Sequence, residues 1–169
     1  PFHLSYPNIF QYDSDIYMIP ESYVAGEISV YKATNFPIKW EKIKTLEDDI
    51  IAVDSTPINA DKTPYLLSYR FSDNIESLEL LKFEAGNLQT CFTLEDTNNQ
   101  LRPGGNFFKV NNVLYRPAQD CKNGYGSALN FYRVDEISNN TYTESLEKKI
   151  TPDIINTDLN IAAEGIHTY

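Results

Sequence analysis

Residues 5–22, SYPNIFQYDSDIYMIPES, contain two short apolar segments on either side of a polar turn. β-Branched and aromatic residues dominate Asn8–Tyr12 and Ile16–Ile19, and Asp13-Ser14-Asp15 separates them. Strand-forming residues around an Asp/Ser turn are typical of a β-hairpin. The stretch therefore predicts two antiparallel strands, followed by a hairpin end at Pro20-Glu21-Ser22 that carries a carboxylate.

The hairpin pattern recurs twice along the chain. Its prolines, Pro7, Pro57 and Pro103, lie 50 and 46 residues apart. A period of roughly 40–50 residues built from short strands is typical of β-propeller blades. We therefore predict an all-β fold of four-stranded antiparallel blades, which forms part of a larger propeller because such repeats bury their faces only against neighbouring repeats. The predicted blades span residues 5–50, 51–100 and 101–152, with the start of a further blade at 153–169.

The sequence near the C-terminal end predicts a strand and then a connector to the next unit. Tyr142–Ile150 is compatible with a helix, but its place in the third repeat predicts the fourth strand of a blade. Thr151–Asn160 is predicted to be a connector, and Gly165–Tyr169 is predicted to begin the next unit.

The charge and the cysteine content argue against several classes of function. The formal net charge is −10 at pH 7, with 24 acidic and 14 basic residues. Neutralising phosphates requires clustered Lys and Arg, which argues against nucleic-acid binding and against docking on anionic membranes. Cys91 and Cys121 have no metal-ligand partners at the spacing of a zinc site, so we expect reduced thiols, no metal and no cofactor.

Targeting signals are not evident in the sequence. No apolar run is long enough to span a bilayer, so no membrane insertion is expected. The low use of cysteine favours a soluble, cytoplasmic protein. The chain opens on Pro1 without a methionine, and we expect it to be part of a larger protein.

Candidate site residues lie where strands of the predicted hairpins end. In a propeller the inner strand ends converge on the central channel, so residues far apart in sequence share one funnel. Carboxylates there could bind or activate a sugar hydroxyl, and arginines could bind a carboxylate, a phosphate or hydroxyls. The catalytic candidates are Asp54, Glu21 and Asp120, and the candidate binding residues are Tyr6, Arg102, Arg116, Gln119 and His167.

Several of these residues also have a purely structural interpretation. Asp54 precedes two hydroxyl side chains and could form an Asx turn. Glu21 could be a loop charge or the partner of an arginine. Arg102 and Arg116, each followed by proline, could belong to a buried ion-pair network. The twelve Tyr and nine Phe fit sugar-binding surfaces and also plain core and cross-strand packing.

Six blocks of the chain resemble the β-propeller domain related to family 43 glycoside hydrolases. The form they resemble most is found at the N-terminus of plant glucosamine inositolphosphorylceramide transferases, and similar bacterial domains are joined to formyltransferase-like domains. The blocks are SYPNIFQYDSDIYMIPES (5–22), YKATNFPIKW (31–40), VDSTPI (53–58), RPGGNFFKVNNVLYRPAQDC (102–121), YGSALNFYRVDEI (125–137) and GIHTY (165–169). The resemblance implies a five-bladed propeller with a sugar-sized axial pocket. Active relatives use three acidic residues from different blades, and Asp54 is the best match to a channel aspartate.

The residues and the resemblance lead to three functional hypotheses. The first is a carbohydrate-recognition propeller for a saccharide or a glycolipid head group, within a larger protein that supplies the remaining blades or a fused catalytic domain. The second is an active glycoside hydrolase that uses the channel carboxylates. The third is a protein-interaction scaffold without a sugar site. Enzymatic activity stays open, because Tyr6-Pro7 stands where active hydrolases often carry an aspartate before the proline.

Overall fold

The computed structural model describes residues 2–60, 63–84, 87–159 and 162–169, which form three four-stranded antiparallel sheets. The first sheet contains β1 (Ser5–Tyr12), β2 (Asp15–Glu21), β3 (Glu27–Asn35) and β4 (Lys39–Asp48). The second contains β5 (Ala52–Ala60), β6 (Thr63–Ser72), β7 (Ile75–Glu84) and β8 (Asn87–Glu95). The third contains β9 (Phe108–Val110), β10 (Val113–Asp120), β11 (Ala128–Ile137) and β12 (Tyr142–Ile150). The predicted all-β fold of four-stranded antiparallel blades is confirmed.

Two-residue turns of one type join β6 to β7 and β9 to β10. Asp73-Asn74 has φ of +50° and +67°, and Asn111-Asn112 has φ of +50° and +65°. Positive φ at both central residues is the type I′ turn, whose twist matches the twist of the flanking strands. Asn and Asp reach this left-handed region more readily than most residues. The local sequence therefore specifies these two hairpins.

The hydrophobic core lies on both sides of the second sheet. Leu67 and Tyr69 of β6 belong to a cluster that includes Tyr142 of the third sheet. Leu66, which directly precedes Leu67, belongs to a cluster with Ile19 of the first sheet. Successive side chains of a strand point to opposite faces, so β6 contributes to both clusters. Each sheet buries its apolar face against its neighbour, as expected for a stack of blades.

The C-terminal part differs from the prediction in one element. Tyr142–Ile150 forms β12, which confirms the strand assignment. The predicted connector Thr151–Asn160 contains a helix that the sequence pattern did not indicate, α1 (Pro152–Leu159), and Asn160 lies outside the described residues. A proline in the first turn of a helix, followed by Asp153, is favourable.

The three sheets do not decide where each blade begins and ends. The boundaries near residues 50, 100 and 152, and a further blade that begins at 153, stay predictions. Within the described part of the chain, no helix is long and apolar enough to cross a membrane.

β-Bulges interrupt the inner strands β1 and β5 close to where each begins. The pairing of β1 with β2 shifts register at Tyr6-Pro7, and the pairing of β5 with β6 shifts at Asp54-Ser55. Tyr6 has a φ of +42° and Asp54 a φ of +50°. Positive φ is uncommon for residues other than glycine, and bulges of this kind redirect a side chain. Tyr6 and Asp54 therefore occupy equivalent places in two sheets.

The prolines that define the sequence period are not equivalent in the structure. Pro7 lies in the bulge of β1, whereas Pro57 pairs with Leu66 beyond the bulge of β5. Pro103 lies outside β9 and forms an isolated bridge with Ala118. The inner strand of the third sheet, β9, is only three residues long and begins at Phe108, five residues after Pro103. The repeat is real, but the bulges rather than the prolines mark its equivalent positions.

Candidate functional site

A cavity of about 640 Å³ lies where the inner strands meet. Its volume is within the range of small-ligand sites, roughly 300–1,000 Å³. The lining residues are His3, Ser5, Tyr6, Pro7, Asn8, Glu21, Asp54, Arg102, Gly105, Asn106, Gln119, Tyr125, His167, Thr168 and Tyr169. All three sheets contribute, as the convergence of inner strands predicts. The predicted site residues that line it are Tyr6, Glu21, Asp54, Arg102, Gln119 and His167.

Arg102 lies between two carboxylates in this cavity. Its Nε donates to Asp54 Oδ2 at 2.5 Å, and its Nη2 lies 3.5 Å from Glu21 Oε2. Asp54 is 2% exposed, whereas 28% of the Arg102 side chain is exposed. A guanidinium carries five N–H donors, so Arg102 can hold both carboxylates and still offer donors to a ligand.

Burial and a neighbouring acid control the protonation of Asp54. Burial, together with a smaller contribution from the neighbouring Glu21 carboxyl, raises the pKa of Asp54 to about 6. The Arg102 guanidinium opposes both effects by favouring the ionised form. Asp54 is therefore ionised near neutral pH but becomes protonated in mildly acidic solution.

We expect Asp54 to give the protein a characteristic dependence of stability on pH. The pKa in the folded state, about 6, lies above the ordinary value of 3.8. The folded protein therefore holds this proton more tightly than the unfolded chain, and the stability that it confers is lost as the pH rises from about 4 to about 6. Chemical denaturation should show the free energy of unfolding of the wild type falling, relative to Asp54→Asn, across this range.

The matched control for this effect is Asp158→Asn, at an exposed carboxylate on α1 outside the cavity. The free energy of unfolding of the wild type, relative to that of Asp158→Asn, should not fall between pH 4 and 6. A constant difference for Asp54→Asn across the same range would contradict the raised pKa.

Tyr6 joins the first and third sheets to the second at the wall of the cavity. Its hydroxyl accepts a hydrogen bond from the Gly105 N–H at 2.9 Å and lies 3.0 Å from Thr56 Oγ1. Burial raises the pKa of Tyr6 to about 12. The phenol is therefore neutral at physiological pH and acts as a hydrogen-bonding group.

Amide side chains form a second layer of the cavity wall. Gln119 Nε2 donates to Asp54 Oδ2 at 3.1 Å and to the Pro103 carbonyl at 2.7 Å. Asn8 Nδ2 donates to Asn106 Oδ1 at 2.6 Å. Gln119 Oε1 and Asn8 Oδ1 are buried and have no hydrogen-bond partner within the described ranges. Such acceptors are rare in folded proteins and are commonly satisfied by a water or a ligand.

The C-terminal segment closes one side of the cavity. The Tyr169 N–H donates to the Gly104 carbonyl at 2.7 Å, and the Ile166 N–H donates to the Gly126 carbonyl at 2.8 Å. The exposed His167 ring packs on Tyr125, with 4.9 Å between ring centroids. A side chain at Gly105 would collide with the Tyr169 carbonyl, since an added Cβ would lie 2.7 Å from it. The glycine at this position permits the close approach of the segment.

Asp120 does not line the cavity. It is fully buried and accepts hydrogen bonds from Lys149 Nζ at 2.6 Å and Gln100 Nε2 at 2.7 Å. Burial opposes ionisation, but these hydrogen bonds hold the pKa of Asp120 below its ordinary value. The geometry gives Asp120 a structural contact with β12 instead of the expected place in the funnel.

Arg116 also lies outside the cavity. Its Nη2 and Nε donate to the two oxygens of Glu144 at 2.5 and 2.7 Å, and its guanidinium packs 4.9 Å from the centre of the Tyr132 ring. Arg116 therefore takes part in a buried ion pair, and its partner is Glu144 instead of Asp54, Glu21 or Asp120.

Asn106, Thr168 and Tyr169 are lining residues that the sequence did not indicate. Asn106 follows the Gly104-Gly105 pair, in the segment that leads into β9. A paired glycine in an otherwise strand-like block marks a close backbone approach, and that signal could have found it. Cys91 and Cys121 are free thiols. Among the described residues, no group of three potential ligands could hold a metal ion.

The chain is similar to a family of plant-type domains over most of its length. The family described as the N-terminal region of glucosamine inositolphosphorylceramide transferase 1 matches residues 1–156. Transferases of that name from Oryza sativa subsp. indica and Arabidopsis thaliana are 32% and 30% identical over 153 and 158 residues. These alignments cover 85% of this chain, which spans about a fifth (20%) of the relatives' length.

Three solved structures share the fold at low sequence identity. An exo-β-1,3-galactanase from Phanerochaete chrysosporium, with β-1,3-galactotriose, has a TM-score of 0.61 and 12% identity, covering 89% of this chain and 39% of that one. An endo-1,4-β-xylanase from Bacteroides thetaiotaomicron has a TM-score of 0.59 and 16% identity, with coverages of 87% and 55%. The Bacteroides ovatus xyloglucan protein GH43B has a TM-score of 0.56 and 19% identity, with coverages of 84% and 28%. The similarity shows a partial propeller of the family 43 type.

Proposed function

The chain belongs to the family of the N-terminal region of glucosamine inositolphosphorylceramide transferase 1, and we propose that it is a saccharide-binding propeller domain. The proposed site is the cavity at the inner strands. The proposed ligand is a neutral saccharide or the sugar part of a glycolipid head group. The domain acts within a larger protein that supplies the remaining blades or a fused catalytic domain.

The observation that carries this proposal is the Glu21–Arg102–Asp54 arrangement in a cavity of about 640 Å³. A sugar hydroxyl both donates and accepts hydrogen bonds, so a guanidinium beside carboxylates matches a row of hydroxyls. Two carboxylates against one arginine leave the cluster with one net negative charge once Asp54 is ionised. This charge disfavours uronic acids and phosphosugars.

The fold relatives support the same ligand class. Their names refer to β-1,3-galactan, xylan and xyloglucan. The sugars in these names, galactose, xylose and glucose, are neutral. A shared fold does not carry an activity by itself, because function resides in the site. The polar cavity of this chain and the names of the proteins that share its fold both favour a neutral saccharide as the ligand.

Glycoside hydrolysis is the alternative, and the raised pKa of Asp54 favours it, because a general acid needs a pKa near the working pH. The position of Glu21 weighs against it. The Glu21 and Asp54 carboxylates share one guanidinium, that of Arg102, so neither is free to take up a position on the opposite side of a scissile bond from the other. Asp120, the third candidate, lies outside the cavity. Binding without turnover is therefore the better supported function.

A titration with product analysis tests the proposal. The protein is titrated by calorimetry with β-1,3-galacto-, β-1,4-xylo- and xyloglucan oligosaccharides, and each mixture is then examined for released sugar by chromatography. We expect binding to at least one series and no released sugar. Sugar release that disappears in Glu21→Gln would establish a hydrolase, and absence of both binding and release would favour the interaction scaffold. The cytoplasmic location stays a prediction.

A further inference from the structure

A second cavity, of about 440 Å³, adjoins the first at Glu21 and Arg102, which line both. The rest of its lining comes from the segment after β2 and from the end of the β5–β6 pair where β5 begins and β6 ends, and it is apolar. These residues are Tyr23, Ile51, Val53 and Phe71. A ligand in the first cavity can therefore continue into the second across the carboxylate and guanidinium groups.

The second cavity has two aromatic walls, of which Tyr23 is exposed and Phe71 is held by a neighbouring ring. Tyr23 begins the 3₁₀ turn Tyr23–Ala25, and it is 51% exposed. Phe71 packs edge-to-face on Tyr69 at 5.5 Å between ring centroids, and its N–H donates to the Ile51 carbonyl at 3.1 Å. Rings of restricted orientation give large contact area at a low cost in entropy.

We propose that the second cavity is a subsite for a second sugar ring, so that the protein binds a disaccharide or a longer chain across Glu21 and Arg102. The proposal rests on the proposed function of the first cavity. The apolar C–H face of a pyranose packs on the Tyr23 ring, while its hydroxyls keep hydrogen bonds to the shared charged groups.

Glu21 and Arg102, the charged residues that line both cavities, favour a sugar over a purely apolar group as the ligand of the second cavity. A lipid chain or an aryl aglycone in the second cavity would cover Arg102, whose side chain is 28% exposed, and Glu21, at 13%. Covering charged groups without new hydrogen bonds is unfavourable. A sugar ring provides both an apolar face and hydroxyls, and so fits a cavity with apolar walls and a charged end.

Ligand length tests the proposal. The intact protein is titrated by calorimetry with methyl β-galactoside, β-1,3-galactobiose and octyl β-galactoside, and with the corresponding xylose series. In the series that binds, we expect the disaccharide to bind roughly tenfold more tightly than the methyl glycoside. The octyl glycoside should show no such gain. Tyr23→Ala should remove the gain and leave the affinity for the methyl glycoside unchanged.

Tyr12→Ala is the matched control, because Tyr12 is 62% exposed and lines neither cavity. The Tyr12→Ala variant should keep the full gain in affinity for the disaccharide over the methyl glycoside. Equal affinities for methyl glycoside and disaccharide, or a gain that survives Tyr23→Ala, would overturn the second subsite. A gain with the octyl glycoside alone would replace the second sugar by an apolar group. Failure of these probes and of the xyloglucan oligosaccharides to bind would instead remove the proposed function itself, and the subsite with it.

Discussion

Replacing Arg116 by leucine lowers the free energy of unfolding by about 3–5 kcal/mol, because it leaves a buried carboxylate without its cation. The Arg116 side chain is fully buried and that of Glu144 is 5% exposed. Besides its two bonds to Glu144, Arg116 donates from Nη1 to the Leu101 carbonyl at 2.9 Å. The substitution therefore removes three hydrogen bonds in the interior of the third sheet. Urea denaturation followed by circular dichroism measures the loss.

The matched control is Arg133→Leu, since Arg133 forms an ion pair with Asp135 at the surface, with 49% of its side chain exposed. An exposed pair contributes little, so the denaturation midpoint should barely move. The double variant Arg116→Met/Glu144→Leu should be more stable than Arg116→Leu, because it removes the unpaired charge. Equal midpoints for Arg116→Leu and the surface control would contradict this account of the buried pair.

Replacing Arg102 by leucine is expected to weaken the proposed saccharide binding at least tenfold. A hydrogen bond from a charged donor contributes roughly 1.5–3 kcal/mol, which is about 10- to 150-fold in a binding constant. The substitution also leaves Asp54 and Glu21 facing each other without a cation, which favours protonation of one of them. Calorimetric titration with the oligosaccharide that binds the wild type measures the loss.

Arg102→Lys is the informative companion variant. It keeps the positive charge but loses the planar fork that reaches both carboxylates, so its affinity should fall between those of the wild type and Arg102→Leu. A thermal melt of each variant shows whether the sheets are intact. Unchanged affinity in a folded Arg102→Leu variant would exclude the cavity as the saccharide site.

The sequence was sufficient to predict the blades because the hairpin signals are local. Polar turn residues between apolar segments specify the strand pairs, and their recurrence indicates the repeat. The repeat pattern does not predict the helix α1, because it marks Thr151–Asn160 only as the segment between two repeats. Pro152 and Asp153 at the start of α1 are a local helix signal that is independent of the repeat.

The site was predictable in part, for a reason of geometry. Asp54 and Arg102 were found because inner strand ends converge on one place. Asp120 and Arg116 were misplaced because neighbouring residues of a strand point to opposite faces, and sequence alone did not show which face of β10 meets the cavity. The bulges at Asp54 and Tyr6 are also not evident from the sequence, since Tyr rarely adopts positive φ and a single Asp adopts it in turns as well as in bulges.

The most direct measurement is an NMR titration that follows the Arg102 Nε–H and the Gln119 side-chain amide during addition of the oligosaccharide. Both groups donate to Asp54 Oδ2, so a ligand in this cavity must perturb them. We predict saturable shifts of these two signals, with the surface Arg133 Nε–H unchanged. Saturable binding that shifts signals elsewhere and leaves Arg102 and Gln119 unmoved would contradict a saccharide site at the inner strands.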